Sequence, residues 1–254
     1  MPESDQLLDT LLDAWRAGNA PPNELVGTVP MRDAYNMQLQ LLDREVAAGR
    51  THRGWKVGQT AASMRAERGE AEPAPGFLIG DADRSANPIL DIEGQSDWHL
   101  EPELALTLGA PLGAEEVTPE AAFEAVATAC SAFELVHRKS GWEDRALQRS
   151  VNGTTSGFIL GPQSERVPTP DEVDDARVIY ARNDTRVGDL RGGDINDNPF
   201  QTLAWLATFL HRHGRRLEPG QVVLTGTYAG LVPITSGEHW QATIGSLDPV
   251  TLRT

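Results

Sequence analysis

The sequence predicts a mixed α/β fold, because helix-like and strand-like patterns both recur along its 254 residues. Within residues 98–108, leucines at 100, 104, 106 and 108 keep a period of two, which is typical of a half-buried strand. Residues 5–17 and 200–213 instead gather their apolar side chains on one helical stripe. A chain of this length is expected to form one large domain, or a domain with a smaller N-terminal part, around a sizeable core.

The N-terminal part, residues 1–50, is predicted to be helical. One helix covers residues 5–17 and a second covers residues 30–48, and a glycine follows each of them as a stop signal. Both helices have the pattern of packing elements, and nothing in them points to chemistry. The functional region is therefore expected within residues 51–254.

The remaining segments are predicted to alternate between strands, helices and loops. Strands are predicted at residues 53–60, 133–136, 158–160 and 221–227, with a hairpin over residues 176–190. Helices are predicted at residues 61–68, 118–130 and 142–148, and loops at residues 70–76, 81–95 and 150–157. The first of these loops is of a kind that often covers a site, and the small residues of the last one suit an anion, although bare turns share that composition.

The charge and composition of the chain exclude several classes of partner. A formal net charge of −15 argues against nucleic acid, which needs a basic face, and weakly against an anionic membrane surface. No apolar run approaches the ~18 residues that cross a bilayer, and the first residues are acidic where a secretory signal is basic, so a cytoplasmic protein is expected. The single cysteine, Cys130, excludes an internal disulfide and a cysteine-built zinc site, and it is predicted to serve packing.

Three glutamates are the main candidates for chemistry. Glu101 and Glu103 share the strand face opposite to the leucines, and a fold tolerates such close like charges best if a cation lies between them or one is protonated. Glu134 interrupts a short apolar strand, where an unpaired charge is costly to bury. The alternatives are a solvated strand face for the first two and an edge-strand acid for the third. If the two strands are neighbours, the carboxylates converge and suit a hard divalent ion, Mg²⁺ or Mn²⁺.

Lysine is rare in this chain, since only two of the 22 basic residues are lysines. Lys56 lies between Trp55 and Val57 with glycines on either side. A partly buried ammonium there is expected to have a lowered pKa and to serve as a proton carrier or as a fixed charge for an anionic substrate. The alternative is a lysine that snorkels at a sheet edge. For Lys139, which lies in a polar run, a chance occurrence is an equally good explanation.

Five segments of the chain, in this order, resemble the fumarylacetoacetate hydrolase superfamily, and within it the branch of 2-oxopent-4-enoate hydratases and 4-oxalocrotonate decarboxylases. They are Gly54-Trp55-Lys56-Val57-Gly58-Gln59-Thr60, Glu101-Pro102-Glu103, Phe133-Glu134-Leu135-Val136, Asn198-Pro199 with Ala204-Trp205-Leu206-Ala207, and Gly220-Gln221-Val222-Val223-Leu224-Thr225-Gly226. The first looks like the branch's Gly-aromatic-Lys-x-Gly-x-Thr segment, and the second like its Glu-x-Glu metal motif. The third is similar to the strand of the third metal ligand, and the last two to a helix and the final core strand. The likeness covers nearly the whole chain.

This resemblance implies a mixed α/β fold with a rolled β-sheet core, in which residues 51–254 form the catalytic domain. It implies Mg²⁺ or Mn²⁺ held by Glu101, Glu103 and Glu134, with Lys56 beside a substrate that Ser156, Gly157 and Thr227 also contact. The metal would chelate the carboxylate and 2-oxo groups of a small unsaturated 2-oxo acid and stabilise the enolate that forms.

A hydratase is the activity that the resemblance favours. The alternatives are a decarboxylase of an oxalocrotonate-like 2-oxo diacid and a non-catalytic member that serves as an oligomer partner. A homo-oligomer is implied by the resemblance alone.

Three positions depart from the pattern of the branch. Ala74, Asn152 and His137 stand where the branch has acidic residues. The metal motif is thus intact, whereas the set of groups that would transfer protons is altered. Either His137 or Lys56 takes over proton transfer, or activity has been lost.

Overall fold

The computed structural model describes residues 2–153 and 155–254. The helices are α1 (Pro2–Arg16), α2 (Met31–Ala47), α3 (Ala62–Arg68), α4 (Pro119–Glu124), α5 (Arg145–Ser150), α6 (Pro170–Asp174), α7 (Gly192–Ile195) and α8 (Pro199–Arg212). The strands are β1 (His52–Gly58), β2 (Ala74–Ile79), β3 (Trp98–Leu108), β4 (Val126–His137), β5 (Thr155–Leu160), β6 (Arg177–Arg182), β7 (Thr185–Arg191), β8 (Val222–Thr227), β9 (Val232–Pro233), β10 (His239–Ile244) and β11 (Val250–Arg253). None of the helices in the described part of the chain is both long and apolar enough to span a bilayer.

The strands form two sheets. The larger sheet has the order β2-β1-β8-β3-β4-β5, with β9 added beside β3. Its β1 and β8 run parallel, whereas its other neighbours are antiparallel. The smaller sheet has the order β11-β10-β6-β7 and is antiparallel throughout. The larger sheet curls into a half-barrel with helices around it, so the predicted mixed α/β fold with a rolled sheet is confirmed.

Two main apolar clusters hold these layers together. The larger cluster joins the helices to the large sheet, and it includes Leu8 and Leu42 from the N-terminal helices together with Trp55 and Leu206. The second cluster joins the two sheets, and among its members are Leu100, Phe133, Ile159, Trp240 and Leu252. Because α1 and α2 share a core with the sheet, burial of their apolar stripes stabilises both parts at once. The boundary at residue 50 stays a prediction.

Strand β4 is the main correction to the predicted elements. The helix predicted over residues 118–130 ends at Glu124, and Val126–His137 form a single strand. This strand pairs with β3 along nearly its whole length, so long-range pairing overrides the short helical periodicity of its first residues. All eight residues from Ala129 to Val136 are buried, including the polar residues Ser131 and Glu134. Burial of both faces removes the alternation by which a strand is recognised.

Two of the predicted loops also contain strand residues. Residues 74–76 of the first loop open β2 and pair with β1, and residues 155–157 of the last loop open β5 and pair with β4. Thr154, which belongs to the same predicted loop, lies outside the described residues. The hairpin over residues 176–190 is confirmed as β6 and β7, with Asn183 and Asp184 at φ 49° and 62° in its turn.

Candidate metal centre

Three glutamates converge where β3 and β4 pair. In this antiparallel register Glu101 lies directly opposite Glu134, and Glu103 follows two residues further along β3 on the same face. The three residues can each offer a carboxylate oxygen such that these atoms all lie within 4.8 Å of one another. Glu103 and Glu134 are each 1% exposed, and Glu101 is partly buried. Neither a solvated strand face nor an edge-strand acid describes these residues.

Backbone and hydroxyl donors hold two of the carboxylates in place. Glu103 Oε2 accepts a hydrogen bond from the backbone N–H of Gly226 at 2.7 Å, and Glu134 Oε1 accepts one from the Thr155 hydroxyl at 2.7 Å. Gly226 has φ +105°, and a Cβ atom at this position would lie 2.1 Å from Thr60 Oγ1. Only glycine therefore lets this amide approach the glutamate, and the resemblance to the family's final core strand ends on this residue.

Lys56 lies beside the glutamates. Its strand β1 is enclosed between β2 and β8, its side chain is 13% exposed, and its Nζ lies 3.5 Å from Glu134 Oε1. The snorkelling alternative is therefore excluded. Burial alone would lower the pKa of this ammonium, but the negative charges of Glu134, Glu101 and Glu103 outweigh burial and raise the pKa above its ordinary value. The expectation of a lowered pKa for Lys56 is wrong, because it considered burial and not the charges of these three glutamates.

The carboxyl groups themselves titrate far from their usual range. Burial, followed by repulsion from Glu134, raises the pKa of Glu101 from 4.5 to about 8, although Lys56 acts in the opposite direction. The pKa of Glu103 is raised well above its ordinary value by burial and by repulsion from Glu134 and Glu101. When all three carboxyl groups are deprotonated, they outnumber the one ammonium and leave an excess of negative charge. An all-oxygen donor set of this kind fits a hard dication such as Mg²⁺ or Mn²⁺.

A cavity of about 590 Å³ opens next to these residues. Its wall includes Lys56, Glu101, Glu103 and Thr227 near the carboxylate cluster, and further residues that include Gln59, Arg138, Glu143, Arg145, Arg149 and Asn152. The amide of Asn152 both accepts from the backbone N–H of Phe77 and donates to its carbonyl, each at 3.0 Å. Asn152 therefore ties the loop before β5 to β2, and as an amide it supplies no acid or base. Ala74, the second position without the family acid, also lines the cavity.

The structure does not bring every predicted site residue to this cavity. His137 points away from the face of Glu134, and its ring stacks on Trp98 with centroids 4.6 Å apart. Gly157 packs near Ala82, whose carbonyl oxygen would lie 3.1 Å from a Cβ at this glycine. Neither of these residues nor Ser156 is among the described residues that line the cavity. Of the three predicted substrate contacts, Thr227 does line it.

Sequence reasoning missed several residues that the site uses. Thr155 and Gly226 donate to the glutamates, and neither has a signal in one sequence, because both act through contacts between distant segments. Arg149 is buried beside the cavity, where it donates to Gln59 Oε1 at 2.7 Å and to Glu70 Oε2 at 3.3 Å. Arg149 could not be selected from the sequence, because nothing distinguished it from the other arginines among the 20 in the chain.

Comparison with known proteins gives a family match and related enzymes. The family model described as fumarylacetoacetate (FAA) hydrolase C-terminal matches residues 52–253. The chain is 29% identical over 247 residues to a TodF product hydratase from Pseudomonas putida, with 96% of this chain and 92% of the relative covered. It is 27% identical over 236 residues to a 2-oxo-hept-4-ene-1,7-dioate hydratase from Escherichia coli, covering 89% and 87% of the two chains.

Solved structures share the fold. The 4-oxalocrotonate decarboxylase from Pseudomonas putida G7, complexed with magnesium and adipate, superposes with a TM-score of 0.88 at 20% identity, covering 98% of this chain and 97% of that one. A fumarylpyruvate hydrolase from Pseudomonas aeruginosa, in complex with Mn²⁺ and pyruvate, has a TM-score of 0.61 at 20% identity, covering 80% and 89%. With the family model matched over most of its length, the chain belongs to the fumarylacetoacetate hydrolase family.

Proposed function

We propose that the protein is a divalent-metal-dependent hydratase of a small unsaturated 2-oxo acid, taken up as this acid or as its 2-hydroxydienoate form. The observation that carries the proposal is the convergence of three carboxylates beside Lys56, with Lys56, Glu101 and Glu103 on the wall of one cavity. The names of the curated relatives, several of which are hydratases of such acids, support the same reaction.

Glu101, Glu103 and Glu134 are the residues that would hold the metal, Mg²⁺ or Mn²⁺. When bound, a dication supplies Lewis-acid stabilisation of the negative charge that develops on the 2-oxo group. The protein's own contribution is to orient the carboxylates. The Gly226 amide holds one oxygen of Glu103, and the Thr155 hydroxyl holds one oxygen of Glu134. These fixed carboxylates avoid a rearrangement during the reaction.

Lys56 is our candidate for the proton carrier. Hydration adds a proton to one carbon of a double bond and hydroxide to the other, so a group that holds or moves a proton must reach the substrate. Among the described residues that line the cavity there is no histidine and no aspartate, whereas the Lys56 ammonium is on its wall. Its contact with Glu134 at 3.5 Å fixes the ammonium and keeps a proton on it at neutral pH.

Decarboxylation of an oxalocrotonate-like diacid is the second candidate. Ala74 and Asn152 line the cavity in place of the family's acids, so the site holds few groups for proton transfer. Loss of CO₂ needs charge stabilisation and a single protonation, and an altered acid/base set therefore impairs it less than it impairs hydration.

One assay separates these functions. Purified protein with Mg²⁺ or Mn²⁺ is incubated with 2-hydroxypenta-2,4-dienoate and, separately, with an oxalocrotonate-type diacid, while water addition and CO₂ release are monitored. We expect water addition that stops when EDTA removes the metal. CO₂ release alone would favour the decarboxylase. Absence of both reactions, together with no binding in a titration with Mn²⁺, would favour a non-catalytic oligomer partner.

We further propose that the protein acts in the cytoplasm as a homo-oligomer, without nucleic acid or membrane as a partner. The net charge of −15 supports the exclusion of nucleic acid, because phosphate binding needs a basic face. Light scattering of the purified chain tests the oligomeric state, and a monomeric mass at micromolar concentration would contradict it.

A further inference from the structure

Arg138 is a cation on the cavity wall that has no polar partner in the described part of the protein. The residue directly follows β4, and its backbone N–H donates to the Asp97 carbonyl at 3.0 Å. Its side chain lines the cavity but forms no hydrogen bond or ion pair with the described residues. Arg145 and Arg149, the other arginines of the wall, both contact the carboxylate of Glu70. Arg138 is thus the guanidinium that remains available to a ligand.

Arg138 and the carboxylate cluster lie along the same face of one extended segment. Side chains alternate along a strand, so Glu134, Val136 and Arg138 project to the same side. Val136 and Arg138 both line the cavity. At ~3.3 Å per residue, four residues separate the Cα atoms of Glu134 and Arg138 by ~13 Å. A compact five-carbon acid at the carboxylate cluster would not span this distance, whereas an elongated ligand along the strand would approach the guanidinium.

The charges of the cavity favour a second anionic group at the Arg138 end. At the carboxylate cluster, a dication and the Lys56 ammonium together would balance the three glutamates. Elsewhere the wall includes three arginines and one glutamate, Glu143, and the carboxylate of Glu70 pairs with Arg145 and Arg149. This region therefore keeps a net positive charge, which attracts an anion. A planar guanidinium is also the cation that binds a carboxylate through two parallel hydrogen bonds.

We propose that Arg138 recognises a second carboxylate at the far end of the substrate, so that the protein acts on an elongated 2-oxo diacid. This inference rests on the proposed function, which places the 2-oxo acid end of the substrate at Glu101, Glu103 and Glu134. The cavity volume of about 590 Å³ accommodates a substrate longer than a five-carbon acid. Arg138 is thereby a specificity-determining residue, because a substrate that ends in a methyl group leaves its guanidinium without a partner.

Two matched substrates test this proposal. 2-Oxohept-4-ene-1,7-dioate and 2-oxohept-4-enoate differ only in a terminal carboxylate or methyl group. We expect the wild-type protein to have the higher kcat/KM for the diacid. Arg138→Met should reduce the diacid-to-monoacid ratio of kcat/KM about tenfold, mainly through the KM of the diacid, because a charged hydrogen bond from an exposed side chain is lost. Arg138→Lys should restore part of the ratio, because it restores the charge but not the paired geometry.

A matched control and a binding measurement make the outcomes separable. Arg32 is 83% exposed and lies outside the cavity lining, so Arg32→Met should leave the ratio unchanged. Calorimetry with Mn²⁺-loaded protein then compares 2-oxoheptanedioate with 2-oxoheptanoate, which have the same length as the substrates and lack the double bond. About tenfold tighter binding of the diacid, lost in Arg138→Met, supports the proposal even without turnover. Equal binding or equal kcat/KM of the paired compounds overturns it and leaves the proposed function standing. If neither 2-oxo acid binds, both proposals fail.

Discussion

Glu101 and Glu134 form a direct cross-strand pair between β3 and β4, although like charges at facing positions destabilise a sheet. The pair is enclosed rather than solvated, and Glu103 adds a third carboxylate within 4.8 Å. Lys56 provides one positive charge, and the donors Gly226 and Thr155 provide none. The arrangement is therefore expected to be more stable with a divalent cation than without one.

Replacing one carboxylate of the cluster tests its role directly. Glu103→Gln keeps an oxygen that can accept from the Gly226 amide but removes one negative charge. We expect the affinity for Mn²⁺, measured by calorimetry, to fall by more than about 100-fold and turnover to be lost with it. Without metal, the variant should melt at a higher temperature than the wild type, because repulsion among the buried acids is reduced.

The matched control for this variant is Glu124→Gln, which changes an exposed glutamate at the end of α4. Its affinity for Mn²⁺ and its melting temperature should equal those of the wild type. Turnover by Glu103→Gln in the presence of EDTA would show that the assignment of this residue to the metal is wrong.

The stability of the metal-free protein should depend on pH through Glu101. Its pKa is about 8 in the folded chain against an ordinary 4.5, so the folded state holds this proton more tightly than the unfolded state. The resulting stability is present below pH 4.5 and is lost as the pH rises towards 8. With EDTA present, we therefore expect the melting temperature to fall across this interval, and to fall less in Glu101→Gln.

A divalent cation should reverse this trend, because it binds the deprotonated carboxylates and competes with their protons. The rise in melting temperature on adding Mn²⁺ should be larger at pH 8 than at pH 5.5. Differential scanning calorimetry at the two pH values measures both effects. An equal rise at both values would contradict the placement of the ion among these carboxylates.

The two lysines of the chain provide a variant and its control. Lys56→Met should reduce kcat by about 100-fold or more, the usual contribution of a proton carrier, while the affinity for Mn²⁺ is retained. Lys139 instead donates to the Trp15 carbonyl and lies 4.1 Å from the centroid of its ring. Lys139→Met should therefore lower the melting temperature and leave kcat unchanged. Equal kcat values in Lys56→Met and the wild type would remove Lys56 from the reaction.

The elements that the sequence predicted well are those with one buried face. The helices at residues 5–17 and 200–213 and the hairpin at Asn183-Asp184 have a clear period or turn signal, and the structure confirms them. Strand β4 has no such signal, because residues 129–136 are buried throughout and their period is lost. Its first residues were consequently predicted as helix.

The site likewise contains features with a local sequence signal and features without one. The spacing of Glu101 and Glu103 is local, so it could be recognised in one sequence, whereas the pairing of Glu134 with Glu101 depends on strand order. The resemblance to the family supplied that order. It did not supply the direction of His137, which follows from the alternation of β4 and turns this ring onto Trp98. Arg138, the next residue, is on the cavity side for the same reason.

Gly226 links the backbone conformation of the site to metal binding. Gly226→Ala would place a methyl group 2.1 Å from Thr60 Oγ1 at a φ of +105°, so the backbone must shift and the hydrogen bond from its amide to Glu103 must lengthen. We expect weaker Mn²⁺ binding together with a loss of stability of about 1–3 kcal/mol. Gly220→Ala is the control, because φ is +81° there but no atom lies within 4 Å of the added carbon. It should destabilise the fold and leave the affinity for Mn²⁺ intact, since only Gly226 contacts a candidate ligand. Equal Mn²⁺ affinity in the two variants would show that the amide of Gly226 does not position Glu103.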